Sequence, residues 1–76
     1  MNKEEVNLEL GKRIRQLRRE KNMTQLELGG AIGLSHAAIS DMENGKTRIT
    51  FEALYEIANI LKTTIREILY ISELIK

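Results

Sequence analysis

TQLELGGAIGLSHAAISDMENG, residues 24–45, predicts two short helices joined by a tight turn. Thr24 followed three residues later by Glu27 has the spacing of a capping box, which satisfies free N–H groups at a helix start. Gly33 stands where the chain must leave the first helix in a left-handed conformation, which glycine adopts without a Cβ penalty. Ser35 can cap the second helix, and Gly45 marks its end. Each helix has only about two turns, so neither is stable without a surrounding core.

The side chains of this segment divide into an apolar set and a set that is small or polar. The apolar residues fall where the two helices would face each other and the core: Leu28, Ile32, Leu34, Ile39 and Met42. The outward face of the second helix holds His36, Ala37, Ser40 and Asp41, with Ala38 at its border. Such side chains suit entry into the major groove of DNA. Spacing alone fits a generic helical hairpin equally well.

The segment resembles the signature of the lambda repressor and Cro superfamily, the xenobiotic-response-element-type regulators. The matching positions are Gln25, Glu27-Leu28, Gly33, Leu34-Ser35, Ile39-Ser40 and Glu43-Asn44-Gly45, with further matches over residues 11–18 and at Leu54, Ile57, Ala58 and Leu61. The chain departs from the family at Gly29, where alanine is usual, and at Ile49, where proline is common. The resemblance implies an all-α, compact five-helix bundle with a helix-turn-helix in helices 2 and 3, as one DNA-binding domain over residues 1–76.

The two neighbouring glycines within the first helix of the motif affect its stability. Gly29 keeps the small side chain that close helix packing needs. Gly29 and Gly30 each lower helix stability by roughly 1 kcal/mol relative to alanine.

The resemblance also implies how the motif meets DNA. Gln25, Asn44 and Lys46 would hold phosphates, while Thr47 and Arg48 would reach the backbone or the minor groove. Six residues would approach the bases: Ser35, His36, Ala37, Ala38, Ser40 and Asp41. The two alanines suit contact with a thymine methyl group, and Asp41 can accept from the amino group of cytosine. His36 fits an ordinary surface histidine equally well. Because this helix lacks the long Gln or Arg readers of many relatives, we expect DNA shape to contribute to recognition.

A helix preceding the motif is predicted from about Glu4 to Lys21. Its apolar residues recur at helical spacing and form an inward stripe of Val6, Leu10, Ile14 and Leu17. Lys12, Arg15 and Arg19 line the opposite face, which is interpreted as a solvated stripe rather than a phosphate-binding row. Arg18 lies beside the apolar stripe, where a buried guanidinium requires a carboxylate partner. In the family, the matching arginine pairs with the glutamate that corresponds to Glu43, so this pair is interpreted as structural.

Two more helices are predicted after the motif. Thr50 caps the fourth helix, whose inward stripe is Phe51, Leu54, Ile57, Ala58 and Leu61, with Ile60 off the stripe. Thr64 and Glu67 have capping-box spacing and open a fifth helix over about residues 64–76. Its apolar residues span an arc of roughly 200°, too wide for one small core. Tyr70, Ile71, Leu74 and Ile75 therefore predict a homodimer interface, and a frayed C-terminus is the alternative.

Composition limits the classes of function. The 76 residues contain no Cys and no Pro, and the net charge is only +1. The charge is polarised, since residues 1–22 hold seven Lys or Arg against four Glu, a balance of +3. The sequence shows no signal peptide and no apolar run near the roughly 18 residues of a membrane span, which predicts a cytoplasmic, nucleoid-associated protein.

No catalytic constellation is apparent, since the sequence has one His, no Cys and no Gly-rich phosphate loop. We therefore expect no enzyme activity, cofactor, metal or small-molecule ligand. The predicted partner is a palindromic double-stranded DNA operator bound by a homodimer, as for a Cro-like repressor or a restriction-modification controller. The alternative is a protein-interaction module or antitoxin with the same fold.

Overall fold

The computed structural model describes residues 2–69, and this part of the chain contains five α-helices. They are α1 (Lys3–Glu20), α2 (Gln25–Ile32), α3 (His36–Glu43), α4 (Phe51–Ile60) and α5 (Ile65–Leu69). The predicted all-α, five-helix fold is confirmed, with α2 and α3 as the helix-turn-helix pair. The predicted dimer residues Tyr70, Ile71, Leu74 and Ile75 lie outside the described residues. Over residues 2–69, no helix combines the length and the apolarity needed to cross a membrane.

Side-chain caps begin α2 to α5, as the local sequence predicts, and Asn2 caps α1, which was not predicted from the sequence. The Thr24 hydroxyl accepts a hydrogen bond from the Glu27 backbone N–H at 3.0 Å, and Glu27 Oε1 accepts one from the Thr24 N–H at 2.9 Å. This reciprocal pair satisfies two donors at the start of α2. The later helices begin with the same bond from a backbone N–H to a capping hydroxyl. The Ser35 hydroxyl accepts from the Ala38 N–H, that of Thr50 from the Ala53 N–H, and that of Thr64 from the Glu67 N–H.

Left-handed glycines end the two helices of the motif. Gly33 has φ +76° and Gly45 has φ +73°, so both lie in the region that glycine adopts without strain. After Gly33, the Leu34 N–H donates to the Gly29 carbonyl at 2.8 Å. After Gly45, the Lys46 N–H donates to the Asp41 carbonyl at 2.8 Å. These bonds satisfy carbonyls at the helix ends and turn the chain sharply.

The core is drawn from all five helices and from the turn after α4. Its buried apolar residues are Leu10, Ile14, Leu28, Ile39, Leu54, Ile57, Ala58, Leu61 and Ile68. Three residues predicted to face the core are exposed instead, since Phe51 is 71%, Val6 is 39% and Leu34 is 36% exposed. Phe51 and Val6 lie in the first turn of their helix, and Leu34 lies in the turn between α2 and α3. Ile60, expected off the stripe of α4, packs against the core instead, and α5 also packs on α4.

Gly11 and Gly29 lie where two backbones approach each other closely. A Cβ atom on Gly11 would overlap the Met42 carbonyl oxygen, so α1 and the end of α3 meet backbone to backbone. A Cβ atom on Gly29 would lie 2.5 Å from the Leu34 carbonyl oxygen. The sequence predicts only a small side chain at position 29. The structure requires glycine there, because even the methyl group of alanine has no room. Gly30 faces open space.

Candidate nucleic-acid interface

α3 presents an accessible face that begins at its N-cap. Three of the residues predicted to contact bases are exposed: Ser35, His36 and Ala37. The other three are partly exposed: Ala38, Ser40 and Asp41. Ile39 and Glu43, each 1% exposed, point the other way into the protein. All six of the residues predicted to approach bases are thus accessible to a partner.

Glu43, the last residue of α3, accepts hydrogen bonds from three side chains on two other helices. Arg18 donates from Nε to Oε2 at 2.6 Å and from Nη2 to Oε1 at 3.0 Å. Gln25 Nε2 donates to Oε1 at 3.1 Å, and Arg15 Nε donates to the same oxygen at 3.4 Å. One buried carboxylate therefore joins α1, α2 and α3 at a single point, which fixes the end of α3 relative to the start of α2.

The charge state of this cluster follows from its contacts. Burial by itself raises the pKa of Glu43, because water no longer solvates the carboxylate. The hydrogen bonds from Arg18 and Gln25, the charge of Arg18 and the bond from Arg15 outweigh burial and hold the pKa of Glu43 below its usual value. The hydrogen bond to Glu43 raises the pKa of Arg18. The pair is therefore fully ionised at neutral pH.

Gln25 is the first residue of α2 and is partly buried. Its side-chain amide carries two hydrogens, and one of them is donated to Glu43. Among residues 2–69, the second hydrogen has no acceptor. Gln25, predicted to hold a phosphate, is therefore oriented by the cluster around Glu43.

Asn44 follows α3 directly and is exposed. Its Nδ2 donates to the Ser40 carbonyl at 2.9 Å and to the Ser40 hydroxyl at 3.3 Å, while its Oδ1 accepts from Arg15 Nη2 at 2.7 Å. A phosphate contact from the Asn44 amide would replace one of its bonds to Ser40. In the free protein, Asn44 ties the last turn of α3 to α1.

The loop after α3 carries the remaining predicted contacts, Lys46, Thr47 and Arg48, all of which are exposed. Asn7 of α1 holds this loop. Its Nδ2 donates to the Thr47 carbonyl at 2.7 Å, and its Oδ1 accepts from the Ile49 N–H at 3.3 Å. The three loop side chains thus extend from a backbone that is attached to α1.

Two residues of this surface, Arg15 and Asn7, are absent from the sequence-based set of site residues. Helical spacing assigns Arg15 to a solvated stripe, whereas its guanidinium reaches Glu43 and Asn44. A signal was present, because Arg15 and Arg18 are three residues apart and so share one side of α1. No local signal marks Asn7, since its partners lie 40 and 42 residues away.

Known proteins share this arrangement of helices. Residues 14–68 match the family model described as helix-turn-helix. The HTH-type transcriptional activator BcrR of Enterococcus faecalis is 38% identical over 68 residues, which are 90% of this chain and 33% of that protein. The chain spans about a third to a half of the length of several curated relatives that it matches.

Two solved structures are also similar. The clp gene regulator ClgR from Corynebacterium glutamicum has a TM-score of 0.81 at 26% identity, over 84% of this chain and 82% of that one. The restriction-modification controller protein C.AhdI from Aeromonas hydrophila has a TM-score of 0.77 at 26% identity, over 80% and 92% of the two chains. Because the family match spans most of the chain, this protein belongs to the helix-turn-helix family of the lambda repressor and Cro type.

Proposed function

We propose that this chain is a sequence-specific, double-stranded DNA-binding transcriptional regulator that reads a palindromic operator with α3. The observation that carries the proposal is the accessible face of α3, bordered by donors of α2 and of the loop after α3. Gln25, Asn44 and Lys46 would hold phosphates. Ser35, His36, Ala37, Ala38, Ser40 and Asp41 would approach base edges, and Thr47 and Arg48 would reach the backbone or minor groove.

Within this function, we favour a Cro-like repressor or a restriction-modification controller. The named function of C.AhdI, a restriction-modification controller protein, supports the second type. The names of the relatives favour transcriptional regulation over a protein-interaction module or antitoxin. Such a regulator would act in the cytoplasm on the nucleoid.

A palindromic operator calls for a two-fold protein, and we propose a homodimer. Support comes from the apolar residues that follow α5 in the sequence, Tyr70, Ile71, Leu74 and Ile75. Ile68 is already buried in the core of one subunit, and the predicted apolar arc of the fifth helix is wider than one small core can cover. A partner subunit would cover these apolar residues.

Selection of duplexes from a random pool, followed by titration at several salt concentrations, tests this function. The selected sites should be palindromes whose half-sites lie about 10 bp apart, or a multiple of that. Lys46→Ala should weaken binding to every duplex and reduce the salt slope by about one unit. Ala38→Gln should instead change which sequence is preferred.

Lys62→Ala is the matched control, because it removes the same charge from the exposed turn between α4 and α5. It should leave affinity and salt slope close to the wild-type values. Equal affinity for selected and scrambled duplexes would refute sequence-specific binding. An equal effect of Lys46→Ala and Lys62→Ala would refute the proposed contact surface.

A further inference from the structure

The loop between α3 and α4 is attached differently at its ends and in its middle. At its start, Lys46 N–H bonds to the Asp41 carbonyl, and at its end Thr50 caps α4. Between these points, within residues 2–69, the only hydrogen bonds that reach the backbone of residues 47–49 come from Asn7. The Asn7 carboxamide therefore holds the backbone in the middle of the loop to α1, while the Ile49 side chain packs against the core.

The geometry of Asn7 suits a fixed attachment rather than a chance contact. Both polar atoms of its side-chain amide are bonded to the loop. Nδ2 donates to the Thr47 carbonyl at 2.7 Å, and Oδ1 accepts from the Ile49 N–H at 3.3 Å. The neighbouring residue, Leu8, packs on Gly45, where an added Cβ atom would lie 3.0 Å from Leu8 Cδ1. Two successive residues of α1 thus contact both halves of the loop.

We infer that Asn7 is a positioning residue for DNA binding, one that holds the loop so that Lys46, Thr47 and Arg48 meet the DNA backbone together. This inference rests on the proposed function. The three side chains are exposed, and none of them lies in a helix that would fix its backbone. A loop held in place before binding avoids the ordering cost that a free loop pays on binding. Asn7 would therefore raise affinity for all duplexes without touching DNA itself.

Asn7→Ala is the direct test, with Asn59→Ala as control, since Asn59 is an exposed asparagine on α4. Loss of two hydrogen bonds should weaken binding to all duplexes by about tenfold, and the preferred sequence should not change. The salt slope should fall by about one unit as the loop cations lose simultaneous contact. The helical circular dichroism of the variant should match that of the wild type.

A double-mutant comparison separates positioning from a general structural role. If Asn7 acts by placing Lys46, then Lys46→Ala should cost much less affinity in the Asn7→Ala background than in the wild type. Asn7→Asp places a carboxylate oxygen against the Thr47 carbonyl and adds a negative charge, so it should weaken binding at least as much as Asn7→Ala. Independent, multiplying effects of the two alanine variants would overturn the inference, as would wild-type affinity for Asn7→Ala.

Amide hydrogen exchange of free Asn7→Ala distinguishes this inference from the proposed function. The Ile49 N–H should exchange faster in the variant, and the core amide of Ile57 should not. If the wild-type protein binds no duplex while Ile49 still responds, the proposed function fails and the positioning role in DNA binding fails with it. If the wild type binds DNA and Ile49 does not respond, only the role of Asn7 is overturned.

Discussion

Arg18 and Glu43 form a bidentate ion pair, with Nε to Oε2 at 2.6 Å and Nη2 to Oε1 at 3.0 Å. Arg18 is 6% exposed and Glu43 is 1% exposed, so the pair lies inside the protein. The third guanidinium nitrogen, Nη1, donates to the Met23 carbonyl at 2.6 Å, which ties the turn before α2 to the same group. The pair thus links the end of α3 to the turn that leads into α2.

Removing one member of this pair should be costly, because it leaves the other charge buried and unpaired. Arg18→Ala should lower the free energy of unfolding by roughly 3 to 5 kcal/mol. Replacing both residues, as Arg18→Met with Glu43→Leu, should recover much of that loss, since neither buried charge of the pair remains and Arg15, which also contacts Glu43, is partly exposed to water. Denaturant unfolding of the two single variants and the double variant measures the coupling. A coupling energy near zero would contradict the pairing.

Stability should fall in acid because of Glu43. Its contacts hold its pKa below that of an unfolded chain, so its ionised form stabilises the fold above the unfolded-state pKa of about 4.3. That contribution should disappear as the pH falls from there through the lower folded-state pKa. The unfolding free energy of Glu43→Gln, measured by denaturation across this range, should therefore depend less on pH than that of the wild type. Glu20 is exposed, so Glu20→Gln is the control. The pH dependence of its unfolding free energy should match that of the wild type. If the unfolding free energies of Glu43→Gln and the wild type depend on pH in the same way, Glu43 does not cause the loss of stability in acid.

Alanine should have opposite effects at the two neighbouring glycines of α2. Gly30 faces open space, so Gly30→Ala should raise the free energy of unfolding by roughly 1 kcal/mol through helix propensity. Gly29→Ala makes the same chemical change one residue earlier, but its Cβ atom would lie 2.5 Å from the Leu34 carbonyl oxygen. It should lower stability because the turn must shift. Thermal or denaturant unfolding of both variants checks the contrast, which equal stabilisation would disprove.

Leu74→Glu should separate the proposed dimer without unfolding the domain. The substitution acts twice in a two-fold interface, so one change places two charges in it. Sedimentation equilibrium should find a dimeric wild type and a mostly monomeric variant. Operator affinity should fall far more than helicity, because two linked half-site contacts become separate weak ones. Ser72→Glu is the control, since Ser72 does not belong to the predicted apolar stripe of this segment. A monomeric wild type, or a dimeric Leu74→Glu variant, would exclude the interface.

Contacts between residues close in sequence predicted where α2, α3 and α4 begin and where the motif turns. Thr24, Ser35 and Thr50 cap helices through contacts with residues three positions later, as their spacing predicts. Gly33 adopts the left-handed conformation expected at the turn. These features depend on residues that are neighbours in the chain, so they can be predicted before the helices are packed together. Resemblance to a known family supplied the order of the helices and the pairing of Arg18 with Glu43.

The set of side chains that meet around α3 depends on how the helices pack and could not be predicted from local sequence. Arg15 contacts Asn44 across 29 residues of sequence, and Asn7 contacts Ile49 across 42. Helical periodicity identifies a face but not how far the core extends along it, which is why Phe51 is exposed at the start of α4. Likewise, the sequence offers a small residue at Gly29, but only the packed turn reveals that even a methyl group has no room. The physical reason is the same in each case, because these contacts depend on how close the helices come and not on local conformation.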